Sequence, residues 1–187
     1  MRVLGIDPGL ARVGVALVEG RPGALQLLDI VCLETSPEDP DARRLHMVQQ
    51  LLASIISRWR PQTCAVERLF FTSNRTTAMR VSEARGVILA TAASRHLPVA
   101  EYTPTEVKEA VAGYGAARKP QVMRMCSALL GEAALSAGDD AADACAVAVC
   151  HHHRAGLVGQ VRPREARSTV SRGLQAAMLA AQTRQSR

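Results

Sequence analysis

The hydrophobic positions at the start of the chain form short runs separated by turn residues, a pattern typical of β-strands. Apolar residues fill Val3–Asp7 up to its last position, resume over Val13–Val18 after the turn at Pro8 and Gly9, and recur over Leu25–Leu33. Runs of this length bounded by turn chemistry predict strands. Three successive strands without an intervening helix predict an antiparallel meander.

A helical period follows the third predicted strand. Between Asp41 and Arg60, apolar side chains recur at intervals of three and four residues, and Pro61 stops the pattern. The apolar positions are Leu45, Val48, Leu51, Leu52, Ile55 and Ile56. This spacing predicts an amphipathic helix.

From here the predicted strands and helices alternate. The segments are a strand over Thr63–Glu67, a loop over Phe70–Asn74, a helix to about His96, a strand over Leu97–Tyr102, a short helix beginning at Thr103 or Thr105, a loop over Gly113–Pro120, and helices over Gln121–Leu130 and Asp139–His153. Strands alternating with helices after a meander predict an α/β domain. We expect a mixed five-stranded central sheet, three antiparallel strands followed by parallel ones, flanked by helices.

Composition places the chain among globular proteins and excludes several other classes. Its 187 residues suit one domain, and although 48% are hydrophobic, no apolar run approaches the roughly 18 residues of a membrane span. The turn at Asp7 to Gly9 interrupts any export signal, so we expect a cytoplasmic protein without a membrane partner. The five cysteines include no C-x-x-C pair, which argues against a disulfide framework or a zinc site.

Basic charge is concentrated near the C-terminus. Residues 1–150 contain 16 basic and 16 acidic side chains, whereas residues 151–187 contain seven arginines and the single acidic residue Glu165. We therefore divide the chain into a domain over residues 1–155 and a basic, partly disordered segment over residues 156–187. That segment suits phosphate attraction, and a merely solvated arm is the alternative.

Five carboxylates are candidates for one metal site. Asp7 and Glu67 each end a buried strand, where an unpaired charge is costly, and Asp139, Asp140 and Asp143 lie in the first turns of the last helix. Either Asp139 or Asp140 can share a helix face with Asp143, and Asp139 is alternatively a helix N-cap. Converging carboxylates favour Mg²⁺ or Mn²⁺, and two such ions catalyse phosphodiester hydrolysis.

Several segments together resemble the RuvC family of bacterial Holliday-junction endonucleases. They are Gly5-Ile6-Asp7-Pro8-Gly9, Val66-Glu67-Arg68-Leu69-Phe70, Glu83-Ala84-Arg85-Gly86-Val87, Val107-Lys108 and Asp140-Ala141-Ala142-Asp143-Ala144. The resemblance runs in order from the first residues to about His153. It implies an RNase H-like fold, a homodimer, and two-metal cleavage of four-way DNA junctions. It also implies symmetric nicks that leave 5′-phosphate and 3′-hydroxyl ends, and the RuvAB branch-migration complex as a partner.

The resemblance also implies roles for individual residues. It assigns the four acidic ligands of two Mg²⁺ or Mn²⁺ ions to Asp7, Glu67, Asp140 and Asp143, with Asp140 chosen over Asp139 because it fits the D-A-A-D-A spacing. The only two lysines of the chain receive functional positions. Lys108 would stabilise charge near the metals, and Lys119, together with Arg118, would hold a backbone phosphate. Solvated lysines are the alternative.

The loop after Glu67 contains the remaining predicted DNA contacts. The resemblance assigns base stacking at the junction centre to Phe70, with Asn74 and Arg75 near the same backbone, and stacking on an aromatic ring is worth about 1–3 kcal/mol per base. A ring buried in the core is the alternative for Phe70.

Three other functions compete with junction cleavage. Actin-like sugar kinases and chaperone ATPases also open with a Gly-x-Asp-x-Gly turn, but they need a second lobe that a chain of this length does not provide. A nuclease of the same fold acting on RNA would retain Asp7 without needing Phe70. A junction-binding module without cleavage is disfavoured because all four ligand positions are acidic.

Overall fold

The computed structural model describes residues 1–68, 75–136 and 138–158. The described strands are β1 (Arg2–Asp7), β2 (Arg12–Arg21), β3 (Ala24–Glu34), β4 (Thr63–Glu67) and β5 (Val99–Tyr102). The described helices are α1 (Asp41–Trp59), α2 (Arg75–Ser94), α3 (Pro104–Ala112), α4 (Lys119–Leu130) and α5 (Asp139–Val158), with a 3₁₀ turn over Glu132–Leu135.

The five strands form one mixed sheet in the order β3-β2-β1-β4-β5. β1 pairs antiparallel with β2 and β2 antiparallel with β3, whereas β4 lies parallel to both β1 and β5. The predicted α/β class and the predicted change from antiparallel to parallel pairing are therefore confirmed. β1 lies at the centre, with the meander on one side and the parallel strands on the other.

Helices cover both faces of the sheet, and the alternation along β1 shows which helices lie on which face. Leu4 and Ile6 are fully buried in a cluster with side chains of α1 and α2. Val3 belongs to a second cluster with side chains of α3, α4 and α5. Because side chains along a strand alternate between faces, Gly5 and Asp7 point toward the α5 side.

Several element boundaries differ from the predicted ones, most notably at α4 and α5. α4 begins at Lys119 rather than Gln121, since Pro120 is tolerated in the first turn of a helix, where its missing N–H has no partner to lose. α5 continues to Val158, and Gly138, with φ of +88°, precedes it, so Asp139 is a helical residue rather than an N-cap. None of the described helices is both long enough and apolar enough to cross a bilayer.

Candidate active site

Asp7 and Glu67 lie side by side at the carboxyl ends of β1 and β4. The two strands are parallel with Ile6 opposite Val66, so the next residue of each strand brings the two carboxyl groups together. The two carboxyl groups are close enough for the charge of Glu67 to raise the pKa of Asp7. Neighbouring carboxylates repel each other, so the protonated form of the pair is favoured unless a cation compensates the charge.

Helix α5 reaches this pair because two glycines let it contact the sheet backbone. Gly14 lies opposite Asp7 in the β1–β2 ladder, and a Cβ added at Gly14 would lie 1.8 Å from the Asp140 carbonyl oxygen. A Cβ at Gly5 would lie 2.2 Å from the carbonyl oxygen of Ala144. Both distances are far too short for a side chain. The first turns of α5 therefore lie directly over the end of β1.

The resulting cluster has more negative charge than its surroundings compensate. Burial, followed by repulsion from Glu67, Asp143 and Asp140, raises the pKa of Asp7 to about 8. Burial and the Asp143 charge also raise the pKa of Glu67, and burial raises that of Asp143. The structure thus brings together the four carboxylates that the sequence selected as metal ligands.

Lys119 lies at this cluster and not in the loop where the sequence placed it. Its Nζ is 2.8 Å from Asp143 Oδ2 and 3.4 Å from Asp139 Oδ2. Burial lowers the pKa of Lys119, but the Asp143 and Asp139 carboxylates raise it more, so the net direction is upward. Lys108 is close enough to Glu67 for its charge to lower the pKa of that carboxyl group. Both lysines therefore act on the cluster electrostatically.

Arg12 is a site residue that the sequence analysis missed. Its Nε lies 2.8 Å from Asp140 Oδ2, and one terminal nitrogen lies 3.1 Å from Glu34 Oε1. Nothing local distinguishes Arg12 from the many other arginines of the chain. The only available signal was its position directly after the turn that follows Asp7.

The donor set suits a hard divalent cation. The four side chains Asp7, Glu67, Asp140 and Asp143 offer carboxylate oxygens, the ligands that Mg²⁺ and Mn²⁺ prefer. The pKa values of Asp7, Glu67 and Asp143 are raised, as expected for buried negative charge that a cation would compensate. Within the described ranges, no three His, Cys, Asp or Glu side chains are grouped closely enough to hold an ion as they stand. Asp140 lies beside Arg12, and Asp143 lies beside Lys119.

A buried arginine supports the turn that follows Asp7. Thr35 Oγ1 donates to the Leu10 carbonyl oxygen at 2.6 Å, and Arg44 Nε donates to Thr35 Oγ1 at 2.9 Å. Arg44 is only 5% exposed and also pairs with Asp41 at 3.1 Å. Sequence analysis missed Arg44 as well, since an arginine in an amphipathic helix is ordinarily solvated.

A cavity of about 350 Å³ opens beside the carboxylates. It lies between the turn after β1 and the start of α2, and Asp140 forms part of its wall. Its other lining residues are Gly9, Leu10, Ala11, Arg12, Arg44, Thr77, Arg80 and Val81. With three arginines in the wall, this side of the site is suited to an anionic chain such as a nucleic acid strand.

The remaining predicted DNA contacts are only partly within the described residues. Phe70 and Asn74 lie outside them. Arg75 is the first residue of α2, and its side chain also lies outside the description. Arg118 is exposed and directly precedes α4, where its backbone N–H donates to Gln121 Oε1 at 2.8 Å. Arg118 is the chain neighbour of Lys119, but among the described residues it forms no hydrogen bond or ion pair with the carboxylates.

Comparison with known proteins points to one family. The family model for crossover junction endodeoxyribonuclease RuvC matches residues 3–151. The RuvC of Moorella thermoacetica is 53% identical over 151 residues, which cover 81% of this chain and 90% of the relative. The RuvC of Desulfitobacterium hafniense is 45% identical over 161 residues, covering 86% and 98%. The structure of T. thermophilus RuvC in complex with Holliday junction substrate superposes with a TM-score of 0.78 at 34% identity, covering 84% of this chain and 96% of that one.

Proposed function

The chain belongs to the RuvC family of crossover junction endodeoxyribonucleases, and we propose that it resolves four-way DNA junctions by paired, symmetric nicks. The observation that carries this proposal is the meeting of Asp7, Glu67, Asp140 and Asp143 from two adjacent strands and one helix. An enzyme of this family is a nuclease, and these carboxylates are the described groups best suited to its chemistry.

RuvC-family nucleases are metal-dependent, and the four carboxylates suit two Mg²⁺ or Mn²⁺ ions. When bound, such ions activate water and stabilise the leaving oxygen of a phosphodiester, which yields 5′-phosphate and 3′-hydroxyl ends. Asp7 and Glu67 supply ligands from the rigid strand ends, and Asp140 and Asp143 supply them from α5. The ions would also compensate the charge that now raises the pKa values of Asp7 and Glu67.

The two lysines complement the carboxylates. In the structure Lys119 neutralises part of the charge of Asp143 and Asp139. Once divalent ions bind the carboxylates, Lys119 is available to hold a phosphate oxygen of the cleaved strand, with Arg118 beside it. Lys108, close to Glu67, would stabilise negative charge that develops during cleavage.

DNA binding would extend beyond the site on two sides. The chain continues from Glu67 at the end of β4 to Phe70, Asn74 and Arg75. These residues would contact the unpaired junction centre through base stacking and phosphate contacts. The basic segment over residues 156–187 follows the nuclease domain of residues 1–155, and its arginines would add phosphate contacts without base specificity.

A homodimer through α2 would place two such sites on one junction. A four-way junction has approximate two-fold symmetry, which a symmetric dimer matches. The outward side of α2 carries Met79, which is 65% exposed, and Gly86, around which an added Cβ would meet nothing within 4 Å. The side chains on this face are partly apolar and leave space at Gly86, which suits packing against a second helix. The RuvAB complex as a partner and the cytoplasmic location stay predictions.

The test of this function compares three substrates. A synthetic immobile four-way junction, a linear duplex and an RNA–DNA hybrid are incubated with the chain, each with and without Mg²⁺ or Mn²⁺. We expect metal-dependent nicks in the junction alone, and none from Asp7→Asn, which should still bind the junction. Cleavage of the hybrid in preference to the junction would favour the RNA-directed alternative. Junction binding without cleavage in any metal would favour the non-cleaving module.

A further inference from the structure

Arg12 links three segments around the start of α5. Its Nε lies 2.8 Å from Asp140 Oδ2, and a terminal nitrogen lies 3.1 Å from Glu34 Oε1 at the end of β3. A terminal nitrogen of Arg12 lies 3.7 Å from where a Cβ on Gly138 would be. One guanidinium group thus connects the meander to the helix that supplies half of the carboxylates.

Arg12 forms ion pairs with two carboxylates at once. Two different nitrogens contact Glu34 and Asp140, so the planar group is held from both sides. The atom of Asp140 that the guanidinium approaches at 2.8 Å is Oδ2. A side chain that orients a metal ligand in this way commonly changes metal affinity 10- to 100-fold when it is removed.

We infer that Arg12 is a positioning residue that holds the Asp140 carboxylate in the orientation required for binding a divalent ion. The inference rests on the proposed metal site. It predicts a change in cation affinity opposite to the one that simple electrostatics gives. Removing a nearby positive charge would by itself strengthen cation binding, whereas loss of a positioning residue weakens it.

The test measures Mn²⁺ binding to the full chain by calorimetry without DNA. The variants are Arg12→Gln and Arg12→Lys, with Arg2→Gln as the matched control, because Arg2 is a similarly exposed strand arginine paired with Glu19 at 3.1 Å. Asp7→Asn tests the metal site itself. Thermal unfolding checks that every variant is folded, and the Mn²⁺ concentration for half-maximal junction cleavage supplies a second measure.

We expect Arg12→Gln to weaken Mn²⁺ binding about tenfold or more, Arg12→Lys to weaken it less, and Arg2→Gln to leave it unchanged. Unchanged or tighter Mn²⁺ binding by Arg12→Gln, with Asp7→Asn still deficient, would overturn this inference alone. Mn²⁺ binding that is absent, or that Asp7→Asn leaves intact, would overturn the proposed metal site and this inference together.

Discussion

The carbonyl oxygen of Asp140 lies over Gly14 at a distance that leaves no space for a side chain, since a Cβ there would come within 1.8 Å of it. Gly14 is the ladder partner of Asp7. The contact therefore links the position of a helix to the position of a strand end. It lets the charge of Asp140 act on Asp7, although the two residues are more than 130 positions apart in sequence.

Gly14→Ala should displace the start of α5. We expect the free energy of unfolding to fall by about 1–3 kcal/mol, as for other overpacked sites, because the obstructing atom belongs to the backbone. The rate of metal-dependent cleavage should also fall, by more than the lost stability explains, since Asp140 moves away from Asp7. Urea unfolding and junction cleavage measure the two effects. The exposed variant Glu38→Gln is the control and should leave both unfolding and cleavage unchanged.

Asp7 should make the metal-free protein less stable at higher pH. Its pKa in the fold is about 8 against an ordinary 3.8, so the folded state retains a proton that the unfolded chain has lost. This contribution to stability is complete below about pH 4 and is lost as pH rises through about 8. Over this range the free energy of unfolding of the unchanged chain should fall by several kcal/mol, since one pKa unit corresponds to about 1.4 kcal/mol. Asp7→Asn should not show this fall.

Urea unfolding at several pH values without divalent ions tests this dependence on Asp7. The exposed carboxylate variant Glu38→Gln is the control and should retain the pH dependence of the unchanged chain. Adding Mg²⁺ should reduce the loss in the unchanged chain but not in Asp7→Asn. A stability profile that Asp7→Asn does not alter would contradict the charge cluster described above.

Arg44 should matter more for stability than its neighbour in sequence. Arg44→Met breaks its bonds to Thr35 and Asp41, and we expect a loss of about 2–4 kcal/mol because the group is buried. Arg43, whose side chain is 71% exposed and paired with Asp39, is the matched control; Arg43→Met should cost less than about 0.5 kcal/mol. Equal unfolding midpoints for the two variants would contradict the buried network.

Lys119 and Asp143 should be energetically coupled in the absence of metal. A double-mutant cycle with Lys119→Met and Asp143→Asn should give about 1 kcal/mol, since the ammonium is half exposed and partly screened. The same cycle on Arg2 and Glu19 should give less, because both of those side chains are over 40% exposed. Saturating Mg²⁺ should reduce the coupling at Lys119 as the ions take over the carboxylate. A coupling near zero without metal would show that the pair is not formed in solution.

The basic C-terminal segment should affect the salt dependence of DNA binding. Removing residues 159–187 preserves α5 as described and deletes six arginines. Each lost phosphate contact should make the slope of log affinity against log salt concentration shallower by about 0.9. A chain of full length with those arginines changed to glutamine is the control for length. An unchanged slope in both proteins would show that the segment does not contact DNA phosphates.

Much of the fold and half of the site could be predicted from local sequence. The continuous apolar run of β1 reflects burial on both faces of the sheet, and the period of 3.6 along α1 reflects burial of one side of that helix. Asp7 and Glu67 were recognisable because each follows a buried strand and the carboxyl ends of parallel strands meet at one edge of a sheet. The start of α4 was misplaced because Pro120 looks like a loop residue but fits the first turn of a helix.

Tertiary structure alone decided which partners meet at the carboxylates. The sequence left Asp139 and Asp140 equally possible by helix geometry, and the family spacing chose Asp140; in the structure Asp140 faces Arg12, whereas Asp139 is largely exposed. Arg12, Arg44 and the new position of Lys119 depend on contacts between distant segments. Periodicity reports which side of an element is buried, but a long basic side chain can reach several neighbours, and only the packing of the helices on the sheet determines which carboxylate it meets.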